Sequence, residues 1–182
     1  MALNRSLFSS ESGEWETPQS LFDKLHVEFD FNFDPAALPG QYTAERIREA
    51  GGFACYPPDV PYYRVPFGWA RDGLAQDWHG RVFLNPPYGR GISAWIEKAV
   101  QEVEKGNVEF VVALLPARTD TRWWQKNILR RTRMECAPPS AIALVWGRAS
   151  EVRLLPGRLK FEGATNAAPF PSAIVVWRRS HD

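Results

Sequence analysis

Residues 81–116 read RVFLNPPYGRGISAWIEKAVQEVEKGNVEFVVALLP, and the order of patterns within them decides the class of fold. A short apolar run at 81–84 meets Asn85-Pro86-Pro87-Tyr88, where two adjacent prolines without N–H donors stop a strand. Ile92, Trp95, Ile96, Ala99, Val100 and Val103 then recur at the spacing of one helix face, and Gly106 stands where a helix C-cap belongs. Residues 110–115, FVVALL, are continuously apolar, the pattern of a strand covered on both faces, and Pro116 ends it. Strand, helix and buried strand in that order predict a crossover unit of a parallel sheet.

The flanking segments extend this pattern. Thr17-Pro18 offers a capping hydroxyl followed by proline at the first helical position, with Leu21, Phe22 and Leu25 as the apolar face. Residues 29–34, FDFNFD, alternate strictly and predict a short strand ending at Asp34; residues 43–50 predict a short helix. Residues 51–80 are rich in Gly, Pro and aromatics and resist assignment; a loop this long in a compact domain is usually functional or mobile. Residues 121–130 predict a helix, and 141–146, 151–155, 159–161 and 173–177 predict strands. Residues 1–14, polar and aperiodic, read as a flexible lead-in. The expectation is one α/β domain over residues 15–182, its mostly parallel sheet finished by an antiparallel hairpin.

The 182 residues are 45% apolar and 24% charged, the composition of a globular protein. No run approaches the length of a membrane span, and the N-terminus lacks the apolar core of a signal peptide, so a cytoplasmic protein without membrane contact is expected. Cys55 and Cys136 have no metal-ligand spacing, so no metal is expected; a reducing compartment fits best, although two cysteines can in principle pair. Charge is unevenly distributed. Residues 1–117 hold ten basic and sixteen acidic side chains, a net of −6, whereas residues 118–160 hold ten and three, a net of +7. The basic segment is compatible with polyanion contact, for which Arg130 and Arg131 are candidates, and equally with a solvated face.

In open α/β sheets ligands sit at the carboxyl ends of strands. Three features fall there: Asp34 with Pro35-Ala36-Ala37, residues 85–88, and residues 116–120. The second suits a planar amine. The exocyclic amine of adenine is a poor nucleophile because its lone pair is delocalised into the ring. Two acceptors, the Asn85 side-chain oxygen and the Pro86 carbonyl, would each take one N–H and draw that lone pair outward. Proline fixes the backbone that aims the carbonyl, with Pro87 stiffening the same turn. Tyr88 offers an aromatic face to an unstacked base. No strong base is needed, because the product ammonium loses its proton to water. Catalysis of this kind rests on orientation and electrostatics. Asp34 can accept from ribose hydroxyls or pair with an ammonium, and can equally cap the following turn.

Trp15-x-Thr17-Pro18, Phe33-Asp34-x-Ala36-Ala37, Phe83-x-Asn85-Pro86-Pro87-Tyr88-Gly89-Arg90, Leu115-Pro116-Ala117-Arg118-Thr119-Asp120-Thr121-x-Trp123 and Gly157-Arg158-Leu159-Lys160-Phe161 stand in an order that resembles phage-type DNA N-6-adenine methyltransferases. The likeness runs from about residue 15 to residue 177. It implies a Rossmann-like class I methyltransferase fold, S-adenosylmethionine as methyl donor and adenine in DNA as acceptor. It also implies catalytic roles for Asn85, Pro86, Pro87 and Tyr88, and cofactor contacts at Trp15, Thr17, Pro18, Asp34, Ala36 and Pro116. Arg90, Arg118, Arg122, Arg158 and Lys160, on or beside these motifs, are the expected DNA contacts together with Arg130 and Arg131.

Two departures from the family pattern stand out. No Phe-x-Gly-x-Gly loop follows the first strand, where Asp34-Pro35-Ala36-Ala37-Leu38-Pro39-Gly40 is a degenerate form, and residues 131–150 are longer than expected. With no room for a separate recognition domain, sequence selectivity would come from loops such as 51–80 and 131–150. Competing readings change the acceptor to RNA adenine, cytosine N4 or a protein glutamine amide, or replace the enzyme by a non-catalytic nucleic-acid-binding module.

Overall fold

A computed structural model describes residues 15–38, 40–56, 69–133, 142–146 and 148–179. Residues 1–14 and Cys136 lie outside the described residues, as do the side chains of Arg130 and Arg131. The elements in chain order are α1 (Gln19–Phe29), β1 (Phe33–Asp34), α2 (Tyr42–Glu49), β2 (Phe53–Tyr56), β3 (Trp69–Arg71), β4 (Gly80–Leu84), α3 (Ile92–Lys105), β5 (Val108–Pro116), α4 (Arg122–Asn127), β6 (Leu129–Arg133), β7 (Ile142–Trp146), β8 (Glu151–Leu154) and β9 (Ser172–Arg178). Seven of the strands form one sheet in the order β3-β2-β1-β4-β5-β9-β8, and β6 and β7 pair separately as an antiparallel ribbon. The strands from β3 to β5 run parallel, and β9 is antiparallel to both β5 and β8. This is the expected Rossmann-like, mostly parallel sheet with antiparallel C-terminal strands.

Strand β5 carries the core. Val111, Ala113 and Leu115 point to one face, where Ile92, Ile96, Ala99 and Val100 of α3 and Trp124 of α4 cover them. Phe110, Val112 and Leu114 point to the other, beneath Phe22, Leu25 and Phe29 of α1. A continuously apolar strand is therefore what two covered faces require.

Several boundaries differ from the sequence expectation. Phe29 closes α1 instead of opening a strand: Asp30 adopts the left-handed region (φ 48°) as the helix C-cap, leaving only Phe33–Asp34 in the sheet. The Phe alternation reflects burial of Phe29, Phe31 and Phe33 on three different backbone geometries, not a continuous strand. Residues 51–80, expected as a loop, contain β2 and β3 at the sheet edge. The helix expected over 121–130 stops at Asn127, whose carbonyl accepts from Trp177 Nε1 at 2.9 Å, and the chain re-enters as β6. Leu159–Phe161 is not a strand; it belongs to the connection between β8 and β9.

The end of β1 is shaped by Asp34, 3% exposed. Its Oδ1 accepts from the Ala36 N–H at 3.0 Å and its Oδ2 from Thr43 Oγ1 at 3.2 Å, so the carboxyl caps the turn that follows β1 and ties it to α2. Burial outweighs those two bonds and pushes its pKa from 3.8 up to about 7. Between these values the folded chain binds more protons than the unfolded one, so this group's contribution to stability falls as pH rises through the window and is flat above it. Asp34→Asn, which keeps an acceptor for Ala36, is expected to remove that slope and to be more stable than wild type at pH 8. Denaturant unfolding across the window reads this directly; an unaltered pH dependence in the variant contradicts it.

Candidate active site

The sheet order reverses between β1 and β4, and a crevice opens at the carboxyl ends of the strands on either side of that point. It encloses a cavity of about 400 Å³, walled by residues 35–38 after β1, Cys55 of β2, residues 72–74 after β3 and residues 85–87 after β4, with Trp15, Gln41 and Trp95 closing the sides. The turn after β3 is seated against the turn after β1. A Cβ placed on Gly73 would lie 1.9 Å from the Pro35 carbonyl oxygen, so only glycine permits that contact. This backbone contact, with the small side chains of Ala36 and Ala37, forms the cavity wall in a chain that has no glycine-rich loop after β1.

Asn85 is the most constrained polar group of the site. Its Nδ2 donates to the backbone carbonyl of Trp15 and, at 3.0 Å, to Thr17 Oγ1. A carbonyl can only accept, so the amide must turn its NH₂ toward Trp15 and its oxygen the other way. That oxygen, Asn85 Oδ1, is buried without a hydrogen-bond partner among the described residues. An unpaired buried acceptor costs about 1–3 kcal/mol, and a group held so is poised to receive a donor.

Tyr88 folds back over the sheet. Its hydroxyl donates to the Leu114 carbonyl of β5 at 2.9 Å, and burial raises the phenol far above its ordinary pKa. Its ring meets Phe170 at 5.6 Å and Phe161 at 5.9 Å in edge-on geometry. Trp15 packs on the same two rings at 5.5 and 5.0 Å, and the Arg118 guanidinium lies 5.9 Å from the Phe170 centroid. An aromatic cluster thus stands next to the Asn85 amide, built from three segments distant in sequence.

The expected site residues divide clearly. Trp15, Ala36, Asn85, Pro86 and Pro87 line the cavity. Thr17, Pro18, Asp34, Tyr88 and Pro116 do not: Thr17 is buried against Asn85, Pro18 caps α1, Asp34 caps its own turn, Tyr88 is tied to Leu114, and Pro116 pairs with Ser172 across β5 and β9. The expected capping of α1 by Thr17 is also absent, its hydroxyl facing the amide. Arg90, Arg118, Arg122, Arg158 and Lys160 are exposed, while Arg130 and Arg131 sit on β6 with their side chains outside the described residues.

Sequence reasoning missed Asp72, Trp95 and Gln41 in the wall. Asp72 follows β3 in the left-handed region (φ 45°), its Oδ1 accepting from the Leu74 N–H at 3.1 Å. The Asp72-Gly73 pair was the available signal for a strand-ending turn. Trp95 looks like a core position by helical spacing, yet it is only half buried and borders the cavity. Cys55 also borders it, with burial raising the thiol to about 12, so it contributes a neutral apolar surface.

The sequence profile of a family described as DNA N-6-adenine-methyltransferase (Dam) matches residues 67–180, which include β4, the Asn85–Tyr88 motif and the segments after β5 and β8. The chain belongs to the DNA N-6-adenine-methyltransferase family. No match was found among curated proteins. As a Dam-family enzyme it transfers a methyl group from S-adenosylmethionine to the N6 amino group of adenine in DNA. Membership sets aside RNA adenine, cytosine N4 and glutamine amides as its substrate class, and the non-catalytic module. No helix among the described residues is long and apolar enough to cross a membrane. Trp15, Thr17 and the cavity residues of β1 and β2 precede the matched span of the Dam family.

In this Dam-family fold the Tyr88 phenol closes the loop after β4 onto β5. Tyr88→Phe is expected to lower the free energy of unfolding by about 0.5–1.5 kcal/mol, the net worth of one hydrogen bond. Equilibrium denaturation of the two proteins measures it, and equal stability would show that the bond is compensated by water.

Proposed function

We propose that Asn85 Oδ1 and the Pro86 carbonyl each accept one N–H of an extrahelical adenine, and that the cavity beside them holds the methyl donor. One observation carries this reading: among the described residues, the one position of the Asn85 amide left unbonded is an acceptor, buried, at the end of the strand next to the sheet's reversal point. An adenine amine supplies the donor it lacks, and its two N–H bonds then pull the nitrogen lone pair out of conjugation and toward the donor. The donor supplies an electrophilic methyl group on a positively charged sulfur. The residues present suit it. Trp15 and Trp95 offer π faces to a sulfonium, Asp72 offers a carboxylate to hydroxyl or ammonium groups, and Leu38, Leu74 and Cys55 supply apolar contact to a flat base.

Asn85 acts as a neutral acceptor and takes no proton; the proton released from the amine passes to water. Tyr88, the ring expected to stack on the base, is fixed by its bond to Leu114 and by edge-on contacts with Phe161 and Phe170. Around this pocket Arg90, Arg118 and Arg122 follow β4 and β5, while Arg158 and Lys160 come from the connection that carries Phe161 and Phe170. These exposed cations rim one side of the sheet and suit phosphate contact, which positions DNA without reading its sequence. A cytoplasmic setting accords with the DNA substrate.

Asn85→Ala is expected to abolish methyl transfer while donor binding, read by calorimetry, is retained; N6-methyladenine formed at the wild-type rate by the variant would overturn the assignment. The double variant Arg158→Ala/Lys160→Ala is expected to weaken DNA affinity across all sequences. Its log-affinity against log-salt slope should be shallower by about two, roughly one per phosphate contact. A slope equal to wild type returns both residues to a solvated surface.

A further inference from the structure

An asparagine has one oxygen and one NH₂ on a planar group that can be turned over, so its value as an acceptor depends on which way it faces. Nothing in the Asn85-Pro86-Pro87-Tyr88 motif itself settles that. The settling contacts come from the extended segment ahead of α1, 68 and 70 residues away, where Thr17 Oγ1 and the Trp15 carbonyl take the two N–H groups. The segment is pinned from three sides. The Pro18 carbonyl accepts from the Leu21 and Phe22 N–H groups at 3.0 Å, opening α1. The Glu16 carbonyl accepts from the Glu162 N–H at 2.9 Å, and its side chain accepts from the Tyr42 N–H of α2 at 3.4 Å. The Trp15 ring rests on Phe161 and Phe170.

We infer that Thr17 is a positioning residue: with the Trp15 carbonyl it latches the Asn85 amide in the one orientation that turns Oδ1 toward the substrate amine. Thr17 is 2% exposed and does not line the cavity, so its hydroxyl is a partner of the amide and not of the donor. A threonine suits the place because its hydroxyl accepts while its methyl group fills the buried space beside the amide. If the hydroxyl is removed, one N–H of Asn85 loses its acceptor and only the Trp15 carbonyl still opposes the flip, so the flipped amide, with NH₂ toward the substrate, gains population. In that flipped state the site presents a donor to a donor, and transfer stops. The same segment also borders the donor cavity through the Trp15 ring, so both halves of the site share one backbone support.

This inference rests on Asn85 being the acceptor, and the test separates the two. Thr17→Val and Thr17→Ala both delete the hydroxyl, one keeping the side chain's size and one not; Thr17→Ser keeps the hydroxyl. Steady-state methylation of an adenine-containing duplex and calorimetric titration with the donor are run on all three and on Asn85→Ala. The expected result is a kcat about threefold to tenfold lower in both Val and Ala variants, the population change that one lost hydrogen bond supports. KM for DNA and donor affinity should stay as in wild type, with kcat restored in Thr17→Ser. Wild-type kcat in Thr17→Val and Thr17→Ala, with Asn85→Ala inactive, overturns the latch but leaves the acceptor reading standing. Donor affinity falling in step with kcat would instead make Thr17 part of the donor site. An active Asn85→Ala would remove the foundation of both.

Discussion

Backbone N–H and C=O groups buried away from water must be paired, and β5 is buried on both faces over almost its whole length. Its hydrogen bonds can go only sideways, to β4 in parallel and β9 in antiparallel register. Leu84 stands beside Ala113, and Pro116 stands opposite Ser172, so the loops leaving β4, β5 and entering β9 are held at one edge of the sheet. The helices follow from the same strand, because its alternate side chains need covers on opposite sides: α3 and α4 on one, α1 on the other. The Tyr88 hydroxyl borrows a β5 carbonyl to fasten the catalytic motif down. The site is thus placed by the least compliant part of the molecule, which a reaction dependent on orientation requires.

Charge is handled differently at the two polar groups closest to the reversal point. Asp34 is buried enough that its carboxyl is raised to about 7 even with two donors on it, which shows what an ionised group costs in this position. Asn85 avoids that cost, since an amide stays neutral and its acceptor does not titrate. Its unsatisfied oxygen is a smaller penalty than a buried charge, and it is relieved when a donor arrives.

The part of the site that could be read from the chain is the part whose meaning is local. Asn85-Pro86-Pro87-Tyr88 at the end of a strand and before a helix carries its geometry in its own prolines. The cavity wall carries none. Asp72 reaches it because β3 sits at the sheet edge two places from β1, which no short window shows, and Trp95 because the first turn of α3, legible as a helix, is seated beside that wall. For Asp34 and Thr17 the chain likewise left the partner open. Each has side-chain chemistry that suits a cofactor, and each is engaged by the protein's own groups, Asp34 by Ala36 and Thr43, Thr17 by Asn85.

Periodicity is a short-range property, and the sequence by itself determined what depends on it: the helix of residues 92–105, the doubly buried strand beside it, the parallel crossover they form and the polar-proline motif at its edge. The short strands β2 and β3 escaped because three or four residues rich in aromatics carry no distinguishable period. Only the tertiary structure decided which way the Asn85 amide faces. Rotation of a planar amide is nearly free in isolation, and it acquires a preferred sense only when acceptors from a segment some seventy residues away are brought beside it.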